Sequence, residues 1–123
     1  MRRQSATAHE LARVELLAGL PGETLARLAD RMEREDVEPG KPVVAEGDAD
    51  EGRFYVVLTG LLTALQDGRG TRNVLRPGDY FGEVSPLMAV PRTATVQAVT
   101  PATVASCDRE TFDEVIRPLF VET

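Results

Sequence analysis

Between Val37 and Cys107 the chain breaks into short apolar or alternating runs, at residues 42–46, 53–59, 61–66, 72–76, 93–99 and 102–107, each closed by glycine, proline or a polar turn. No other feature narrows the fold as far. Such runs are shorter than a packed helix but match the length and alternation of strands, and their close, regular spacing implies an antiparallel sandwich or barrel. Gln66-Asp67-Gly68-Arg69-Gly70 reads as a hairpin tip, Arg76-Pro77-Gly78-Asp79 as a turn, and Thr100-Pro101 as a break between strands.

Helical spacing flanks this region on both sides. Residues 8–18 and 22–36 carry it, separated by Leu20-Pro21-Gly22, and Leu25, Leu28, Ala29 and Met32 form one apolar face of the second segment. The dense charge from Arg31 to Glu38 reads as a solvated helix end leading into a turn. Asp108 is placed to cap a last helix reaching Phe120, with Phe112, Val115, Ile116 and Leu119 on its apolar face. The expected organisation is a single domain of mainly β structure with flanking α: N-terminal helices over 1–36, a β-roll over 37–107 and a C-terminal helix over 108–120.

Length and composition bound what such a domain does. At 123 residues the chain suits one core, and 42% hydrophobic with 28% charged residues is ordinary for a globular fold. No apolar run reaches the ~20 residues of a membrane-spanning helix, and no hydrophobic stretch follows the basic Met1-Arg2-Arg3, so neither a membrane span nor a signal peptide is expected. The lone Cys107 has no partner for an internal disulfide, which fits a reducing, cytoplasmic setting. It ends an apolar run without an obvious basic activator, so a structural thiol is expected rather than a nucleophile. His9 is the only histidine, and a metal-dependent enzyme on a β-roll needs several; no metal and no catalysis are expected. A net charge of −6 opposes non-specific nucleic-acid binding.

Against that background the segment Phe81 to Val96, FGEVSPLMAVPRTATV, stands apart, because it sets Glu83 and Arg92 nine positions apart around a turn, a short helix and a strand. Gly82 tolerates positive φ and lets a ligand approach the backbone, and Ser85 before Pro86 reads as a helix N-cap followed by a first-turn proline. The N–H groups of that helix end attract an anion, and Arg92 adds a planar fork suited to phosphate oxygens. Glu83 would repel the same anion, so it makes sense as the acceptor of a hydroxyl hydrogen elsewhere on the ligand. A phosphate and a hydroxyl on one small molecule suggest a ribose phosphate. The competing reading is a structural Glu83–Arg92 ion pair across the turn; the glycine before it and the small strand residues after Arg92 weigh toward binding. Thr93 is a ligand contact or an ordinary strand residue, and Leu75, Tyr80, Val84, Leu87, Met88 and Ala94 are candidates for an apolar pocket.

This segment resembles the phosphate-binding cassette of the cyclic nucleotide-binding domain family, which includes bacterial cAMP receptor protein and protein kinase A regulatory subunits. Pro39-Gly40, Glu46-Gly47-Asp48, the run Phe54 to Gly60 and Pro77-Gly78-Asp79 follow the family order, so the likeness extends over roughly Leu16 to Phe120. The resemblance implies that Glu83 binds the ribose 2′-hydroxyl and Arg92 the exocyclic oxygens of the cyclic phosphate. Amides near Gly82, Ser85 and Ala94 complete the cradle, with Val84 and Thr93 beside it. Two departures stand out: Pro86 has no N–H to offer, and many members carry a long helix after the position of Phe120.

The function implied is a regulatory module for a 3′,5′-cyclic nucleotide, cAMP ahead of cGMP, that signals through its flanking helices to an effector domain in cis or a partner protein in trans. A homodimer and a place as the cytosolic domain of a larger protein are compatible with it. A second reading keeps the fold but gives it a scaffold or interaction role without nucleotide. A DNA-binding regulator is the third, and no helix-turn-helix fits in the three residues after Phe120.

Overall fold

The computed structural model describes residues 5–44, 53–66, 70–82 and 95–120, and within them the short runs form two four-stranded antiparallel sheets. The strands are β1 (Glu33–Val37), β2 (Pro42–Val44), β3 (Phe54–Thr59), β4 (Leu62–Gln66), β5 (Gly70–Leu75), β6 (Tyr80–Phe81), β7 (Thr95–Ala98) and β8 (Ala102–Cys107). The first sheet has the order β1-β8-β3-β6 and the second β2-β7-β4-β5. This is the expected antiparallel β-roll with flanking helices.

The first sheet is the middle layer, because its strands alternate. Phe54, Val56, Ala105 and Cys107 pack with the helices, whereas Tyr55, Val57, Ala102 and Val104 join Leu62, Leu75, Phe81, Val96 and Ala98 between the sheets. The β3–β8 register shifts between Val57 and Thr59, just before Gly60. Gly60 has φ 83°, and a Cβ there would stand 2.6 Å from Ala102 Cα, so only glycine lets the end of β3 pass beside the start of β8.

The N-terminal segment departs from its helical spacing. Only α1 (Ala8–Leu11) is α-helical, started by a capping box in which Thr7 Oγ1 accepts from the Glu10 amide and Glu10 Oε1 from the Thr7 amide. Beyond it the turns tighten: Val14 N–H donates to Leu11 O, Leu17 to Val14 and Leu20 to Leu17, at 2.9–3.0 Å. The cause is the apolar interval. Leu11, Val14 and Leu17 recur every three residues, which aligns on one side of a three-residue turn, and all three are buried.

The second helix, α2 (Gly22–Arg31), buries Leu25, Leu28 and Ala29 as its spacing requires, but it stops at Arg31 rather than continuing to residue 36. Met32 is already extended, with φ −104° and ψ 132°, and Glu33–Val37 is β1. The charge run read as a solvated helix end is therefore an edge strand. Pairing with β8 supplies its main-chain hydrogen bonds, and an edge strand accommodates charged side chains.

The C-terminal helix, α3 (residues 109–120), is α-helical at Arg109–Thr111, widens to a π-turn at Phe112–Ile116 and returns to α at Arg117–Phe120. Asp108 caps it, with its Oδ1 accepting from the Thr111 amide at 2.9 Å. That bond and the Thr111 hydroxyl hold the Asp108 carboxyl below its usual range. Phe112 and Ile116 are fully buried, and Arg31 of α2 pairs with Glu114 of α3 at 3.0 Å.

Candidate functional site

The candidate cassette is entered through β6, a strand of two residues held on both faces. Its ladder to β3 sets Tyr80 opposite Val56 and Phe81 opposite Tyr55. Phe81 stacks on Tyr55 in the roll interior, with centroids 4.9 Å apart and parallel rings. Tyr80, one residue earlier, points to the other layer, against Phe54 at 5.7 Å and edge-on to Phe120 at 5.5 Å. Tyr80 thus leaves the list of apolar pocket residues: the period of two that sends Phe81 inward sends Tyr80 to the helices. Leu75 does face the interior, buried with Val57, Leu62 and Val96.

The turn before β6 is pinned to β3. Asp79 N–H donates to Arg76 O at 2.9 Å, and Asp79 Oδ2 accepts from the Arg76 amide at 2.8 Å. Gly78 N–H donates to Val57 O, and Val57 N–H to Asp79 O, so β6 starts from a fixed point.

Gly82 follows with φ 90°, a left-handed conformation that glycine adopts without the steric cost of a side chain. The chain is next described at Thr95, where β7 lies in the other sheet between β2 and β4, with Thr95 opposite Leu65 and Val96 opposite Ala64. The candidate segment thus leaves the first sheet at Phe81 and returns on the second at Thr95. Glu83, Val84, Ser85, Arg92, Thr93 and Ala94, with Leu87 and Met88, lie outside the described residues.

Two features of the site frame escape sequence reasoning. The Tyr55–Phe81 stack beneath the entry depends on the β3–β6 register; the aromatic pair Phe54-Tyr55 and the pair Tyr80-Phe81 are the signal for it, once alternation is applied to both. The second is the chain of rings from Tyr80 through Phe54 to Phe112, whose centroids lie 5.5 Å apart in the last step. It connects the strand before the cassette to the buried side of α3.

Elsewhere the described residues offer little reactive chemistry. Cys107 is buried, and loss of solvent followed by the nearby Asp108 charge pushes its thiol up to about 12. Among the described residues no group of three or more His, Cys, Asp and Glu is placed to hold a metal. No helix of the described residues is long and apolar enough to cross a membrane.

Comparison with known proteins agrees over most of the chain. A family model for the cyclic nucleotide-binding domain matches residues 34–118. The cAMP-dependent protein kinase regulatory subunit of Eremothecium gossypii is 38% identical over 109 residues, which are 89% of this chain and 24% of that protein. The chain spans about a quarter of the length of the curated relatives it matches. Among solved structures, the regulatory domain of Toxoplasma gondii PKA with cAMP matches with TM-score 0.83 and 27% identity, over 91% of this chain and 44% of that one. The regulatory subunit of a cAMP-independent protein kinase A from Trypanosoma cruzi, bound to guanosine, matches with TM-score 0.81 and 27% identity, over 90% and 40%.

Proposed function

The chain belongs to the cyclic nucleotide-binding domain family, and on that premise we propose that it is a regulatory module, not an enzyme, that binds a 3′,5′-cyclic nucleotide and prefers cAMP to cGMP. The observation that carries this reading is the frame at Gly82. A left-handed glycine stands at the exit of a strand clamped on both faces, and the next described strand belongs to the opposite sheet. The residues between carry Glu83 and Arg92. In this reading Arg92 receives the exocyclic phosphate oxygens and Glu83 the ribose 2′-hydroxyl. The amides near Gly82, Ser85 and Ala94 complete the cradle, and Val84 and Thr93 lie beside it. No metal or further cofactor takes part.

Occupancy is transmitted through the flanking helices. Tyr80 is two residues from Gly82 and contacts Phe120 of α3, so a shift of the cassette entry changes the seat of that helix. A ligand moves such an equilibrium only by its different affinity for the two arrangements. The effector is a domain in cis or a partner in trans, in a cytoplasmic setting. Kinship with regulatory subunits of cAMP-dependent kinases supports a protein kinase in that role.

The likeness to a guanosine-bound subunit of a cAMP-independent kinase supports a second reading, in which the fold persists and cAMP is not its ligand. Isothermal titration with cAMP, cGMP and guanosine separates the two. Saturable cAMP binding, tighter than cGMP, is the expected result; heat from guanosine alone, or from none of the three, would overturn the assignment.

A further inference from the structure

Between the N-terminal segment and the end of β3 lies a cleft of about 490 Å³ that this function leaves unused. Glu10 and Arg13 form one wall, Leu58 and Thr59 the second, and Pro77 and Gly78 the third. Its volume falls within the ~300–1,000 Å³ of small-molecule sites. Local structure fixes the walls. Arg13 N–H donates to Glu10 O at 3.2 Å in the tight turns after α1, and Gly78 N–H donates to Val57 O at 2.9 Å, which holds the turn on β3. Gly78 has φ 98°, and a Cβ there would stand 3.5 Å from Arg13 O, so the turn and the N-terminal segment meet at one end of the cleft.

The two charges on the first wall are not equivalent. Glu10 is engaged twice: its Oε1 accepts from the Thr7 amide at 3.0 Å, and its Oε2 pairs with Arg34 at 3.4 Å. Arg13 is exposed, and its guanidinium has neither a hydrogen bond nor an ion pair among the described residues. The charge left for a ligand is therefore a single cation. Beside it the cleft offers the half-buried Leu58, the Pro77 ring and the aliphatic stem of Arg13, all apolar. One planar guanidinium matches one carboxylate in a two-point contact. A phosphate dianion would bring a second negative charge with only Glu10 to meet it.

We propose that this cleft is a second ligand site, for a small carboxylic acid with an apolar body. Arg13 receives the carboxylate at the mouth, and Leu58 and Pro77 cover the apolar part. The ligand bridges the N-terminal segment and the turn that precedes β6. Nucleotide binding plays no part in this.

NMR titration of the full chain with 4-phenylbutyrate, without nucleotide, tests it. Saturable shifts are expected at Arg13 Nε–H and at the Leu58, Thr59, Gly60 and Gly78 amides, with a Kd of about 1 mM, ordinary for a ligand of about twelve non-hydrogen atoms. The neutral analogue 4-phenylbutanol binds about 1.5- to 5-fold more weakly, the range of an exposed ion pair. Arg13→Gln abolishes that difference, because it removes the charge and keeps a polar side chain. Thr59→Trp fills the cleft from an exposed position and abolishes the shifts, while the β8 amides, as an internal control for folding, do not change. Equal binding of acid and alcohol by the wild type, or no saturable shift at all, would overturn the proposal. So would a preference for the acid that survives Arg13→Gln.

Discussion

Tyr80→Leu keeps an apolar side chain on β6 but removes two ring contacts, to Phe54 at 5.7 Å and to Phe120 at 5.5 Å. An aromatic pair in tilted or edge geometry contributes about 0.5–1.5 kcal/mol beyond the area it buries, so the two together set a loss of about 1–3 kcal/mol. Tyr80 is only partly buried, which places the expectation in the lower half of that range. Phe54 and Phe112 are fully buried and continue to hold α3, so the domain stays folded. Denaturant unfolding measures the loss, and a double-mutant cycle with Phe120→Leu isolates the Tyr80–Phe120 contact. A coupling of about 0.5–1 kcal/mol is expected, with faster amide exchange at the end of α3 and a smaller response of α3 to cAMP. Purely additive single effects, within the ~0.3–0.5 kcal/mol seen for independent sites, would show that this contact does not couple β6 to the helix.

Arg92→Ala weakens cAMP binding by about 2–5 kcal/mol in titration calorimetry with the fold intact, and Arg92→Lys also weakens it because an ammonium lacks the planar fork. Equal affinity for cAMP and 2′-deoxy-cAMP would dispose of the role given to Glu83, since a carboxylate sited for the 2′-hydroxyl is left without its donor. Gly60→Ala imposes φ 83° on a residue with a Cβ and drives that atom into Ala102; thermal melts should show a loss above ~2 kcal/mol, and a neutral result would refute the close approach. Asp108→Ala removes the α3 cap at a cost of about 0.5–2 kcal/mol near neutral pH. The folded Asp108 carboxyl titrates below its unfolded value, so its contribution is complete above the unfolded pKa of ~3.9 and fades as pH falls through the lower folded one. The melting difference between wild type and Asp108→Ala should therefore close in acid.

Local chemistry in the sequence determined the strands whose ends are set by turn residues. The runs read at 53–59, 61–66 and 102–107 became Phe54–Thr59, Leu62–Gln66 and Ala102–Cys107, because alternation and the residues that stop it act within a few positions. The cap at Asp108 was legible for the same reason. Tertiary structure decided what depends on distant partners. The residues from Glu33 to Val37 became a strand only because β8 offers hydrogen bonds, and Tyr80 faces the helices only because β6 pairs with β3 in one register. The Leu11, Val14 and Leu17 interval fits a tight turn as well as a helical face, and burial against the first sheet settled it. Period and turn chemistry are properties of neighbours in sequence, whereas register and the face a side chain meets belong to the pairing of strands far apart in the chain.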